Sequence, residues 1–415
     1  MKILMLIAAA LVPTRVAPPL AAQQEPAKPT ESQEYSHARE PIGTVRQIYD
    51  GVLTPEMAVN TFRNIHRLFP TRTVAAASRP MPLPSAATPL STVVFTDRGR
   101  RYDLEDYLHL NRVAALLVLH NGRVALEKYR FGNDERTRWM SMSIAKSITS
   151  TLIGAALKQG HIADLSDPVT RYVPSLAGSA YHDVSVRDVL MMASGVRWTE
   201  TYTDPTSDRR SLLEAQISQV PGSAMGVMKR LPRAAAAGTV HTYSTGETQV
   251  IAEVLRGAVG KPLATYLSER IWSRFGMQND AHWWLDSPNG VEIGGSGFSA
   301  TLRDYGRFGL FLLNGGVAAG EAILPDAWIR EATAPKRLRG GKPVDYGYLW
   351  WTGTTPAARR DSSYAAIGIY GQHLYVNPAA RVVIVVWAAQ RKPTGSDVID
   401  DWAFFEAVVN ALRAR

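Results

Sequence analysis

The chain has 415 residues, 46% of them hydrophobic and 20% charged, enough apolar material for one large domain or two smaller ones with a substantial core. It contains no cysteine, which excludes disulfides, thiolate zinc sites and a cysteine nucleophile. The formal charge of +9 is scattered without a basic run or an aromatic–basic repeat, so nucleic-acid binding gains no support and the excess serves solubility.

Residues 1–22 have the pattern of a secretory leader: Lys2, an apolar run over 3–12, then Ala21-Ala22, with cleavage expected after Ala22. That predicts an exported protein, periplasmic or extracellular. No other apolar run reaches twenty residues, so no membrane span is expected in the mature chain. Residues 23–53 read as a polar tether. Thr54-Pro55-Glu56 is a helix start, and Phe62, Ile65, Leu68 and Phe69 give that helix an apolar stripe that Pro70 ends. Pro80, Pro82, Pro84 and Pro89 mark an extended crossing segment. Asp103 caps a short helix to residue 110.

Two strand-like stretches, 114–120 and 123–129, flank Asn121-Gly122, the favoured tight-turn pair. A helix is expected over 146–157, with Ile148, Leu152, Ile153 and Ala156 at core spacing. Further helices are expected over 186–192, 248–259, 302–313 and 398–413. Strands over 365–376 and 381–389 flank a turn at 377–380. Strands at both ends with helices between predict an α+β fold in which an antiparallel sheet is flanked by helices and interrupted by an inserted helical domain. The hydrolase-like part spans 54–415, with a discontinuous α/β portion at about 90–160 and 290–415 and a helical portion at about 161–289.

The stretch carrying chemistry is Ser143-Ile144-Ala145-Lys146. On a helix, residues three apart share one face, so an amine would stand one turn from a hydroxyl. An adjacent base is what a serine needs to become a nucleophile. The helix start beside Ser143 supplies free backbone N–H groups and a positive dipole, which suit an oxyanion. Ser-x-x-Lys occurs by chance in chains of this length, so its weight comes from context. That context is the hairpin before it, the apolar helix after it, and two stretches downstream, Tyr243-Ser244-Thr245 and Gly368-Ile369-Tyr370-Gly371-Gln372.

These three stretches, in this order, resemble the serine β-lactamase and penicillin-recognising superfamily, in its class C-like branch, over roughly 90–415. Residues 62–70, the prolines after them, 139–146 and 368–372 resemble the 6-aminohexanoate-dimer (nylon oligomer) hydrolases within it. The resemblance implies a β-lactamase/transpeptidase-like fold. It implies acyl transfer with Ser143, Lys146 and Tyr243 as catalytic residues and the backbone N–H groups of Ser143 and Ile369 as the oxyanion hole. Tyr202, Thr245, Gly368 and Tyr370 fall at substrate-binding positions. The substrate class is a small ester or linear amide, and the chemistry requires neither a metal nor an organic cofactor.

Two departures matter. Where lactamases carry Lys-Thr-Gly, no lysine stands beside Gly368, and Thr245 occupies the place of an asparagine. The missing cation argues against penicillin as the natural substrate. The deacylating base stays open between Tyr243 and Lys146. Two other readings also stand: a D,D-peptidase or β-lactamase acting on cell-wall-like compounds, and a non-catalytic envelope binding protein. His241 and His373 lack metal-ligand spacing, and Trp283, Trp284, Trp350 and Trp351 read mainly as packing. The run 294–297 is neither a nucleophile elbow nor a phosphate loop.

Overall fold

The structure is a computed structural model that describes residues 35–414. The leader at 1–22 and the first part of the tether lie outside the described residues. A six-stranded antiparallel sheet forms the centre, in the order Trp351–Thr352, Tyr364–Gly368, Gln372–Asn377, Val382–Ala388, Val113–His120, Arg123–Tyr129. The Asn121-Gly122 turn joins the last two strands, and both its residues have positive φ, as that hairpin requires.

Strand Val382–Ala388 is buried along its whole length because the sheet is covered on both faces. Val383, Val385 and Trp387 face one core together with Phe308 and Ile148. Val382, Ile384 and Val386 face the other, with Phe404, Phe405 and Val408 of helix Asp401–Arg413. Helix Leu302–Leu313 lies close against the first face. A Cβ on its Gly309 would stand 2.4 Å from Val383 Cγ1, so the glycine sets that approach.

One expected strand is broken. Residues 365–376 form two strands separated by a turn at 369–371, where Tyr370 and Gly371 take φ of 67° and 84°. Left-handed backbone cannot continue a strand. Strand Tyr364–Gly368 is therefore second in the sheet, beside the two-residue edge strand Trp351–Thr352, and Ile369 sits in a turn rather than on an edge strand.

A second antiparallel sheet, absent from the sequence reading, brings Thr71–Val74, Ala281–Trp284, Phe298–Thr301 and Arg138–Met140 side by side. Its role is to place the residues that precede Ser143: Ser141 N–H donates to Phe298 O at 2.7 Å. Helix Ile144–Lys158 packs on strands Tyr364–Gly368 and Gln372–Asn377 of the central sheet and on helix Thr245–Val259.

The described part of the expected tether is packed structure. Thr44 and Gln47 form a reciprocal cap for helix Val45–Asp50, whose Ile48 and Tyr49 are buried. Arg46 pairs with Glu214 and Asp50 with Arg210, so the helix is held to helix Asp208–Ile217. With Val45 beside them, three buried side chains in a six-residue helix within a polar stretch are too short a run to show as a period. Among the described residues, no helix is long and apolar enough to cross a membrane.

Candidate active site

Ser143 is the N-cap of helix Ile144–Lys158 and spends no side-chain hydrogen bond on capping it. Met142 before it has φ 41°, an uncommon conformation for a residue with a side chain, and this corner turns the chain from strand to helix. The backbone N–H of Ser143 precedes the first bond of that turn, Ile144 N–H to Ser141 O.

Lys146 lies one turn on and is 1% exposed. Its Nζ donates to Gly295 O at 2.9 Å and stands 2.8 Å from Ser143 Oγ. No carboxylate pairs with it among the described residues. Burial therefore dominates and brings the lysine down to about 7, with Glu200 pulling upward and Arg209 pushing further down. A neutral amine has two N–H donors and one lone pair. In that neutral form, with one donor on Gly295 O, the lone pair is available to the Ser143 hydroxyl.

Tyr243 joins them from the turn before helix Thr245–Val259. Lys146 Nζ lies 5.3 Å from the centre of its ring. Trp351 stacks on the same ring at 5.5 Å, and Tyr346 meets it edge-on. Burial raises its phenol well above the ordinary value, Glu200 adds to the rise, and the Ser143 hydroxyl works against it.

Ser143 and Tyr243 open onto a cleft of about 370 Å³ that Tyr202, Trp351, Gly368 and Ile369 also line. Gly368 packs so close to the buried segment leading into Ser143 that a Cβ on it would stand 2.4 Å from Ser141 O. Behind Ile369, Gln372 holds the turn. Its Nε2 donates to the carbonyls of Tyr370 and Ala388, and its Oε1 accepts from Trp139 Nε1 at 2.8 Å. Among the described residues, the cleft wall includes Glu200 and Asp397 but no lysine or arginine.

Of the residues expected at the site, Ser143, Lys146, Tyr243, Tyr202, Gly368 and Ile369 come together. Two do not. Thr245 gives both its backbone N–H and its hydroxyl to Glu200 and is absent from the cleft wall. Tyr370 turns away from the cleft, its ring against Phe62 and its hydroxyl on Ile48 O, because positive φ at that turn swings the side chain to the N-terminal helix. Sequence reasoning passed over Glu200 and named Gln372 only as the end of the 368–372 stretch, with no role. Glu200 stands between two aromatic residues, Trp198 and Tyr202, a faint signal of a buried acid; Gln372 carried none beyond its place after a glycine.

The family model described as Beta-lactamase matches residues 111–408. The 6-aminohexanoate-dimer hydrolase of Paenarthrobacter ureafaciens is 32% identical over 340 residues, covering 78% of this chain and 83% of that protein. Among solved structures, a candidate 6-aminohexanoate-dimer hydrolase from Bacillus anthracis superposes with a TM-score of 0.75 at 24% identity, covering 85% of this chain and 93% of that one. A family VIII carboxylesterase superposes with a TM-score of 0.56 at 16% identity, covering 73% of this chain and 92% of that one. These last two likenesses concern the fold.

Proposed function

The chain belongs to the β-lactamase family and is a hydrolase, and from that premise we propose that Ser143 is its nucleophile, Lys146 the base that activates it and Tyr243 the proton donor to the leaving group. The observation that carries this reading is the 2.8 Å contact between Lys146 Nζ and Ser143 Oγ, made by an amine that burial keeps near neutrality. Ser143 Oγ attacks a carbonyl carbon while its proton passes to Lys146. The carbonyl oxygen gains negative charge and is held by the N–H groups of Ser143 and Ile369. The phenol of Tyr243, kept protonated by burial, hands a proton to the leaving amine or alcohol and recovers one through Lys146. Water then releases the acyl group and restores the serine.

The substrate we propose is a small ester or linear amide, of the kind named in the Paenarthrobacter relative and the carboxylesterase neighbour. The wall that lacks a cation supports this over a penicillin, whose carboxylate would find Glu200 and Asp397 instead. A hydrolysis panel tests it, comparing p-nitrophenyl esters, 6-aminohexanoate dimer, a D-Ala-D-Ala peptide and nitrocefin, with Ser143→Ala as blank. Turnover of the ester and the linear dimer, with fluorophosphonate labelling that Ser143→Ala abolishes, is the expected result. Nitrocefin turned over while both others stay inert would reverse the substrate order. Export is a further part of the proposal, and a mature chain beginning at Gln23 is what N-terminal sequencing should read.

A further inference from the structure

At the cleft wall a buried arginine faces the half-buried carboxylate of Glu200, a pair of opposite charge that the acyl-transfer chemistry does not use. Arg209, on helix Asp208–Ile217, is 3% exposed. Its guanidinium lies 4.4 Å from the ring centre of Tyr49, and Nη2 donates to the Tyr49 hydroxyl. Its Nε stands 4.0 Å from Glu200 Oε1 and has no hydrogen-bond partner. Its backbone N–H donates to Thr199 O, which ties the helix start to the loop carrying Glu200. Glu200 in turn accepts from Trp198 Nε1 and from the N–H and hydroxyl of Thr245, two residues after Tyr243.

We propose that Arg209, braced by Tyr49 of the N-terminal helix, is a positioning residue for the candidate site: its fixed positive charge offsets that of Glu200, so that Lys146 stands as a free amine beside Ser143. The inference rests on the reading of Lys146 as the base. A half-buried carboxylate without a countercharge would hold a nearby buried lysine as an ammonium, which has no lone pair to accept a proton. The groups that face Lys146 are few. Glu200 comes from the 198–202 loop, Arg209 from helix Asp208–Ile217, Tyr243 from the turn before its own helix, and the uncharged Gly295 carbonyl from the glycine turn. Strand Tyr364–Gly368 brings no charge. Arg209 is the one cation in that set, and helix Val45–Asp50 fixes it through Tyr49. Ile48 of that helix holds Tyr370 behind the Ile369 turn, while Tyr49 holds Arg209.

The test is the pH profile of kcat/KM on a neutral p-nitrophenyl ester, whose acidic limb reports the free base. Arg209→Gln should move that limb to higher pH by roughly one unit, and Glu200→Gln should move it to lower pH by a comparable amount. The double variant should return near the wild-type limb, and Arg209→Lys, which keeps the charge, should leave it in place. A residue that only supports the fold would lower the rate at every pH without moving the limb. Tyr49→Phe, which frees the guanidinium, should shift the limb in the Arg209→Gln direction by less. An unmoved limb in Arg209→Gln overturns the proposal; where that variant does not accumulate as folded protein, an unmoved limb in both Tyr49→Phe and Glu200→Gln does so. Wild-type activity in Lys146→Ala would overturn the base assignment and the proposal together, so the two failures are distinguishable.

Discussion

Two buried ionisable groups in this molecule each meet a serine hydroxyl. Lys146 faces Ser143, and Glu247, on the first turn of helix Thr245–Val259, accepts from Ser194. Burial drives both towards neutrality. The lysine falls to about 7, while the carboxyl rises to about 8, with the Ser194 hydrogen bonds pulling back. Yet Ser143 opens on the cleft, whereas Ser194 is wholly buried and absent from its wall. The difference teaches that a displaced pKa marks desolvation, and that a site needs in addition a route for a substrate and donors aimed where charge will develop.

The largest expected effect breaks the first pair. Ser143→Ala should abolish turnover, and Lys146→Met should lower kcat/KM by roughly ten-thousand-fold, with the thermal transition retained in both. Steady-state kinetics beside a melting curve measures it. Tyr243→Phe should cost roughly a hundred-fold, more for an amide than for an activated ester, because an amine needs its proton to leave and p-nitrophenolate does not. Equal losses on both would remove Tyr243 as the leaving-group donor.

The pairs also predict opposite slopes of stability with pH. Between about 4.5 and 8 the folded carboxyl of Glu247 holds a proton that the unfolded one has lost, so its contribution falls as pH rises. Between about 7 and 10.5 the unfolded lysine holds a proton that folded Lys146 lacks, so stability from that group rises with pH. Denaturant titrations of Glu247→Gln should show the acid-to-neutral fall removed. The smallest effect sharpens the contrast: Glu247→Gln should leave kcat/KM on the ester within about two-fold of wild type, as a change confined to a sealed pair should.

Local patterns carried most of what the sequence made legible. The Asn121-Gly122 hairpin, the helix after Ser143 and the three-residue spacing of Ser143 and Lys146 are short-range facts, and they appear where expected. The motif order brought Tyr243 to the same cleft from one hundred residues away. What stayed hidden is non-local. Glu200 and Arg209 meet through a loop and a helix that share no motif, and helix Val45–Asp50 is fixed by partners far along the chain, Glu214, Arg210 and Tyr370. The turn at 369–371 interrupts an apolar run whose composition favours a strand. Only the backbone at Tyr370 and Gly371 decides it.

Gly368 has a consequence for the history of mutation this protein can tolerate. With Ser141 O only 2.4 Å from where a methyl group would sit, even alanine must push strand Tyr364–Gly368 about 1 Å from the segment that leads into Ser143, and a misplacement of that size can cost roughly a hundred-fold in rate. A library randomised at that codon and screened for haloes on an ester plate should therefore return one amino acid, although the contact lies on the backbone and no side chain there takes part in the chemistry.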